Sequence, residues 1–168
     1  MVSRSRCAIL GQQVSVRAAT TMAGRWAQEF GAEIATPFPI LNRLSPSAGH
    51  MADLDSAQVA ALGIVGTRAA SIVQLARALA AGAIHLSAAA DTDAEIEALL
   101  RLPGIGPWTA QYIAMRALHW PDAFPSGDLV LRRAAKSNEK QLLARAESWR
   151  PWRAYAAHYL WQSMGVIV

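Results

Sequence analysis

Residues 102–113, Leu-Pro-Gly-Ile-Gly-Pro-Trp-Thr-Ala-Gln-Tyr-Ile, form the stretch whose residue types most suggest chemistry. Gly104 and Gly106 allow positive φ and let another backbone come close. Pro107 suits the first position of a following helix, where no N–H is needed. Such a turn delivers unpaired amide N–H groups at a helix start, and with the helix dipole they make an anion site. A nucleic-acid phosphate fits there without any charged side chain. A plain helix–turn–helix with a glycine stop and a proline start is the alternative, and the complete apolar-Pro-Gly-Ile-Gly-Pro string favours the phosphate. Trp108 and Tyr112 stand four apart on the second helix and share one of its faces. Farther on, Asp128 follows Pro125-Ser126-Gly127 and precedes an apolar residue, the pattern of an N-cap.

The elements around these residues read as helical nearly throughout, so the expected fold is all-α, one compact domain over 1–168 with a cleft between helical lobes. Ile9, Val14, Val16, Ala19, Met22, Trp26 and Phe30 recur at spacings near three and four, which predicts a first helix from Cys7 to Phe30 ended by Gly31. Residues 34–51 read as a connector containing Pro37, Pro39 and Pro46. A short helix from Asp55 to Leu62 follows, capped by Asp55 or Asp53 and stopped at Gly63. Another runs from Thr67 to Ala81. Thr92 or Asp91 caps a helix to Leu102 with Ile96, Leu99 and Leu100 pointing inward. After the Pro103–Gly106 break, a helix from Pro107 to Leu118 completes a hairpin spanning about 93–118. His119–Gly127 is a loop. Asp128 opens a helix, and two more lie near Ser137–Glu147 and Pro151–Met164.

The 168 residues are 53% apolar and 17% charged, which excludes a disordered or collagenous chain. The apolar runs fall far short of a membrane span, and the N-terminus lacks a secretory pattern, so a cytoplasmic protein is expected. The one cysteine, Cys7, excludes an internal disulfide and a multi-thiolate metal or iron–sulfur site. His50, His85, His119 and His158 show no paired ligand spacing, so no catalytic metal is expected. Sixteen basic residues against twelve acidic ones, fourteen of the sixteen being arginine, suit phosphate but equally suit a high-GC codon bias.

The 102–113 string resembles the helix-hairpin-helix element of the DNA glycosylase superfamily. Three further segments resemble 3-methyladenine DNA glycosylase II: Ala8–Val16 its first helix, Asp122–Leu129 its catalytic segment, and Ala146–Tyr155 running on to Trp161 its closing helix. The four occur in family order over residues 6–163. The resemblance implies a monofunctional glycosylase of base excision repair, which flips alkylated purines such as 3-methyladenine or 7-methylguanine out of duplex DNA and leaves an abasic site. It makes Asp128 the catalytic carboxylate, stabilising an oxocarbenium-like sugar. Asp122, earlier in the loop, is expected to be a turn or capping residue. Trp108, Tyr112 and Trp161 would line the pocket for a cationic base. Gly104, Ile105, Gly106 and Thr109 would take the DNA backbone, and residues 104–106 would offer carbonyls to a monovalent cation when DNA is bound. Gln13, with Gln12 before it, would wedge into the duplex. Arg132, Arg133, Arg150 and Arg153 are candidates for phosphate. Superfamily members that cleave the strand carry a lysine where Trp108 stands, and the only lysines here are Lys136 and Lys140.

Family members usually carry more chain before the first matched helix. A minimal enzyme, a fragment, and a chain completed by a second subunit all fit that difference. Two other functions fit the same residues: a non-catalytic module recognising damaged or distorted DNA, and a helical protein-interaction domain, for which the glycine hairpin would be superfluous.

Overall fold

The computed structural model describes residues 16–166. Gln12, Gln13 and Cys7 lie outside the described residues. Helices occur in the order α1 Val16–Phe30, α2 Ala48–Ala52, α3 Ser56–Ala60, α4 Gly66–Ala80, α5 Thr92–Leu100, α6 Pro107–Ala117, α7 Leu129–Ala134, α8 Glu139–Ala146 and α9 Arg153–Ser163, with a 3₁₀ turn at Glu147–Trp149 before the last. The all-α expectation holds for the described residues, where extended pairing is limited to a Glu33–Arg43 bridge.

Local hydrogen bonding explains most boundaries. Asp55, not Asp53, caps α3, and Gln58 returns a bond to the Asp55 amide. Asp91, not Thr92, caps α5 by accepting the Asp93 and Ala94 amides. Asn138 and Gln141 form the same reciprocal box at α8, so that helix begins later than Ser137.

The connector differs from expectation. Residues 34–51 are not wholly irregular: the Ile34 amide donates to the Asn42 carbonyl (3.0 Å), the Leu44 amide to the Ala32 carbonyl (2.9 Å), and α2 occupies its end under a Ser47 cap. In α5, Leu99 is fully buried but Leu100 is exposed, because consecutive residues lie about 100° apart on a helix and only one of the pair meets the core.

The core joins Ile72 and Leu75 of α4, Leu99 of α5, Ile113 of α6, Leu131 of α7 and Leu142 of α8, all fully buried. Helix α4 packs against α2 and α3, α5 against α6, and α7 against α9. Burying a leucine or isoleucine contributes about 1.5–3 kcal/mol, so these contacts fix where α6, α7 and α9 present their other faces.

Candidate functional site

Three elements converge on one carboxylate. Asp128 has extended backbone (φ −64°, ψ 126°) and caps α7. Its Oδ1 accepts the Val130 and Leu131 amides, each at 2.9 Å. The Trp161 indole N–H from α9 donates to the same oxygen at 3.1 Å. The Trp108 indole N–H from the first turn of α6 donates to Oδ2 at 2.9 Å. Four N–H donors therefore stabilise negative charge on a half-buried side chain, with one oxygen holding three of them and the other one.

The aromatic residues stack beside it. Trp108 and Tyr112 lie parallel, centroids 5.4 Å apart and planes at 19°. Tyr112 also meets Trp161 (6.0 Å), which lies nearly perpendicular to His158 (5.4 Å). Trp161 is only 3% exposed. Its N–H is spent on Asp128 and its ring is covered, so the structure places it as a support behind the carboxylate rather than as an open wall for a base. The half-buried Trp108 and Tyr112 retain accessible surface.

The hairpin lies at the start of the same α6. Gly104 has φ +80°, and a Cβ there would sit 2.0 Å from Ser71 Oγ, so both the turn and the approach of α4 require glycine. Ser71 is the residue that sequence reasoning missed at this turn. Its partner is far away in sequence, and its hydroxyl donates to the Thr67 carbonyl within α4. The Ile105 amide donates to the Leu102 carbonyl (3.2 Å), and its side chain is buried, so Ile105 anchors the turn rather than offering a donor. Gly106 is the N-cap of α6, no side chain caps that end, and Pro107 supplies no amide. Thr109 is 2% exposed, so its side chain faces inward. The Gly106 carbonyl accepts the Ala110 amide at 3.0 Å.

The arginines divide. Arg132 and Arg133 lie in the last turn of α7, Arg133 exposed and Arg132 half-buried, its Nε without a partner among the described residues. Arg153 and Arg150 depart from the phosphate reading. Arg153 is buried and grips Asp122 bidentately, Nε to Oδ1 at 2.7 Å and Nη2 to Oδ2 at 2.8 Å. Arg150 pairs with the same Asp122 and with Glu147 (2.7 Å). A phosphate would have to displace those carboxylates. Asp122 is correspondingly no simple turn residue: it is 6% exposed and ties the loop before Asp128 to the start of α9. The exposed Glu147 carboxyl is held below its ordinary 4.5, first by the hydrogen bond from Arg150, and that bond also raises Arg150. Gln111 of α6 adds a clasp, its Oε1 accepting the Phe124 amide at 3.0 Å.

Residues 7–148 match the model of the HhH-GPD superfamily of base excision DNA repair proteins. A probable bifunctional transcriptional activator/DNA repair enzyme AlkA of Mycobacterium tuberculosis is 40% identical over 162 residues, covering 94% of this chain and 32% of that protein. DNA-3-methyladenine glycosylase 2 of Escherichia coli is 35% identical over 159 residues, covering 94% of this chain and 56% of that one. The chain thus spans from a third to just over half the length of these relatives. The 3-methyladenine DNA glycosylase Mag1 of Schizosaccharomyces pombe, solved in complex with abasic DNA, shares the fold, with a TM-score of 0.77, 22% identity and coverage of 98% of this chain and 81% of that one. With its hairpin, capped carboxylate and matched helices in one arrangement, the chain belongs to the HhH-GPD superfamily of base excision DNA repair proteins.

Proposed function

We propose that this chain is a monofunctional DNA glycosylase that hydrolyses the N-glycosidic bond of alkylated purines flipped out of duplex DNA. The observation that carries the reading is the Asp128 carboxylate fixed between two indole N–H groups and two helix-start amides. Loss of the base leaves positive charge on the deoxyribose. A preorganised anion beside the sugar stabilises that charge without reorganising at the moment of reaction. Oδ2, with one donor among the described residues, is the oxygen left to face the sugar or orient water.

An alkylated purine carries its own positive charge and departs with little acid assistance. The accessible surfaces of Trp108 and Tyr112 suit such a cation. The position after the hairpin holds an indole whose nitrogen lone pair belongs to its ring, so no amine is present there to form a Schiff base. Water is then the acceptor of the sugar. The amides at the start of α6, with Arg132 and Arg133, are proposed to take backbone phosphates, and Gln12 and Gln13 to fill the space left by the flipped nucleotide.

The deciding experiment uses duplex DNA containing 3-methyladenine or 7-methylguanine. Wild-type protein is expected to release the base and leave an abasic site. Asp128→Asn is expected to lose at least ~100-fold in rate while binding survives. Binding without release by wild type would favour a recognition module instead, a reading supported by the covered Trp161.

A further inference from the structure

Helix α6 has a second chemically loaded end. Trp108 lies in its first turn and Arg116 in its last, about 12 Å along the axis at 1.5 Å per residue. There α6 and α9 part to form a cleft of about 410 Å³, lined by Arg116, His119, Trp120, Tyr155 and His158 among others. That volume lies within the usual range for small-ligand clefts, about 300–1,000 Å³.

Among the described residues no carboxylate forms an ion pair with Arg116, His119 or His158. His158 titrates below its ordinary 6.5, through burial first and Arg116 second, so it meets Arg116 as a neutral imidazole with an N–H to donate. The cleft also offers aromatic surface: Tyr155 is 64% exposed and Trp120 is half-buried. His119 has φ +58°, in the left-handed region where glycine would be unstrained. A side chain is retained there, at the mouth of a cleft, at a backbone cost.

We infer that this cleft is a binding site for a nucleoside monophosphate, with Arg116 and the two histidines on the phosphate and Tyr155 and Trp120 flanking the base. Arginine's planar fork takes two phosphate oxygens at once, and each imidazole supplies a ring N–H. Base-on-aromatic stacking adds affinity that inorganic phosphate lacks. The site lies at the end of α6 away from the hairpin, and its His158 packs on the Trp161 that donates to Asp128, yet it includes none of Trp108, Tyr112 or Asp128.

Calorimetric titration of the full chain with adenosine monophosphate, adenosine and inorganic phosphate tests this. Saturable binding of the monophosphate is expected, with adenosine and phosphate each at least ~10-fold weaker. Arg116→Ala is expected to weaken the monophosphate ~10-fold or more. His119→Gly relieves the backbone, so its melting temperature should not fall while its affinity does. Arg116→Lys, which keeps charge but loses the fork, serves if the alanine variant does not fold, and is expected to bind more weakly than wild type. Trp108→Ala should bind as wild type does. Absence of saturable binding, equal affinity for phosphate and monophosphate, full affinity in the Arg116 variants, or loss of affinity in Trp108→Ala would each overturn the assignment. Base release by wild type is scored separately, so failure here leaves the glycosylase reading standing and the reverse.

Discussion

Asp128 depends on neighbours that contribute one atom each. Among the described residues Trp108 supplies the only donor to Oδ2, whereas Trp161 shares Oδ1 with two backbone amides. Phenylalanine at either position keeps a ring and removes the N–H. A hydrogen bond to a charged group contributes about 1.5–3 kcal/mol, which is ~10-fold or more when it acts in the transition state. Trp108→Phe is therefore expected to lower single-turnover base release by ~10-fold or more, and Trp161→Phe by less, because Oδ1 keeps its two amides. Equal rates for Trp108→Phe and wild type would separate the indole from the chemistry.

The hairpin and the loop before α7 hold these side chains in place, and each rests on one unforgiving residue. Alanine at Gly104 meets both a left-handed backbone and the Ser71 hydroxyl. The backbone part costs about 1–2 kcal/mol, and the contact adds to it. Urea denaturation of Gly104→Ala should show a loss of more than about 1 kcal/mol, partly recovered by adding Ser71→Ala, which removes the oxygen but not the strain. Asp122 presents the larger risk. Without its carboxylate Arg153 is a buried charge lacking its bidentate partner, a defect of about 3–5 kcal/mol. Asp122→Ala is expected to lose that much in the same assay. A loss under about 1 kcal/mol would mean that water and Glu147, which Arg153 Nη1 already meets at 3.2 Å, suffice to hold the charge.

For the molecule as a whole, His158 links stability to pH. Its folded value lies below the ordinary 6.5, mainly because burial disfavours the charged ring and also because Arg116 repels it. A depressed folded value means that the unfolded chain takes up the proton first. The contribution is complete above 6.5 and is lost as pH falls through the folded value. Thermal melts on acidification from about pH 7.5 to 5.5 should show a falling melting temperature whose slope is shallower in His158→Leu. Identical slopes would place the acid sensitivity elsewhere.

Capping and turn chemistry were legible to within a residue or two because they act within four positions of chain: Asp55, Asp91 and Asp128 each bond amides two or three residues on, and Gly104 and Pro107 permit what any single helix break requires. The same locality made the α helices other than α2 predictable from apolar spacing, and the family resemblance singled out Asp128 from other caps. What happens across long stretches of chain was decided by packing. Which arginines are spent on Asp122, 28 and 31 residues away, which indoles aim their N–H at Asp128 from 20 and 33 residues away, and whether Trp161 is open or covered all follow from how α6, α7 and α9 meet. A side chain's type states what it can bond to, and only the docking of helices around a shared core determines which partner comes within 3 Å of it.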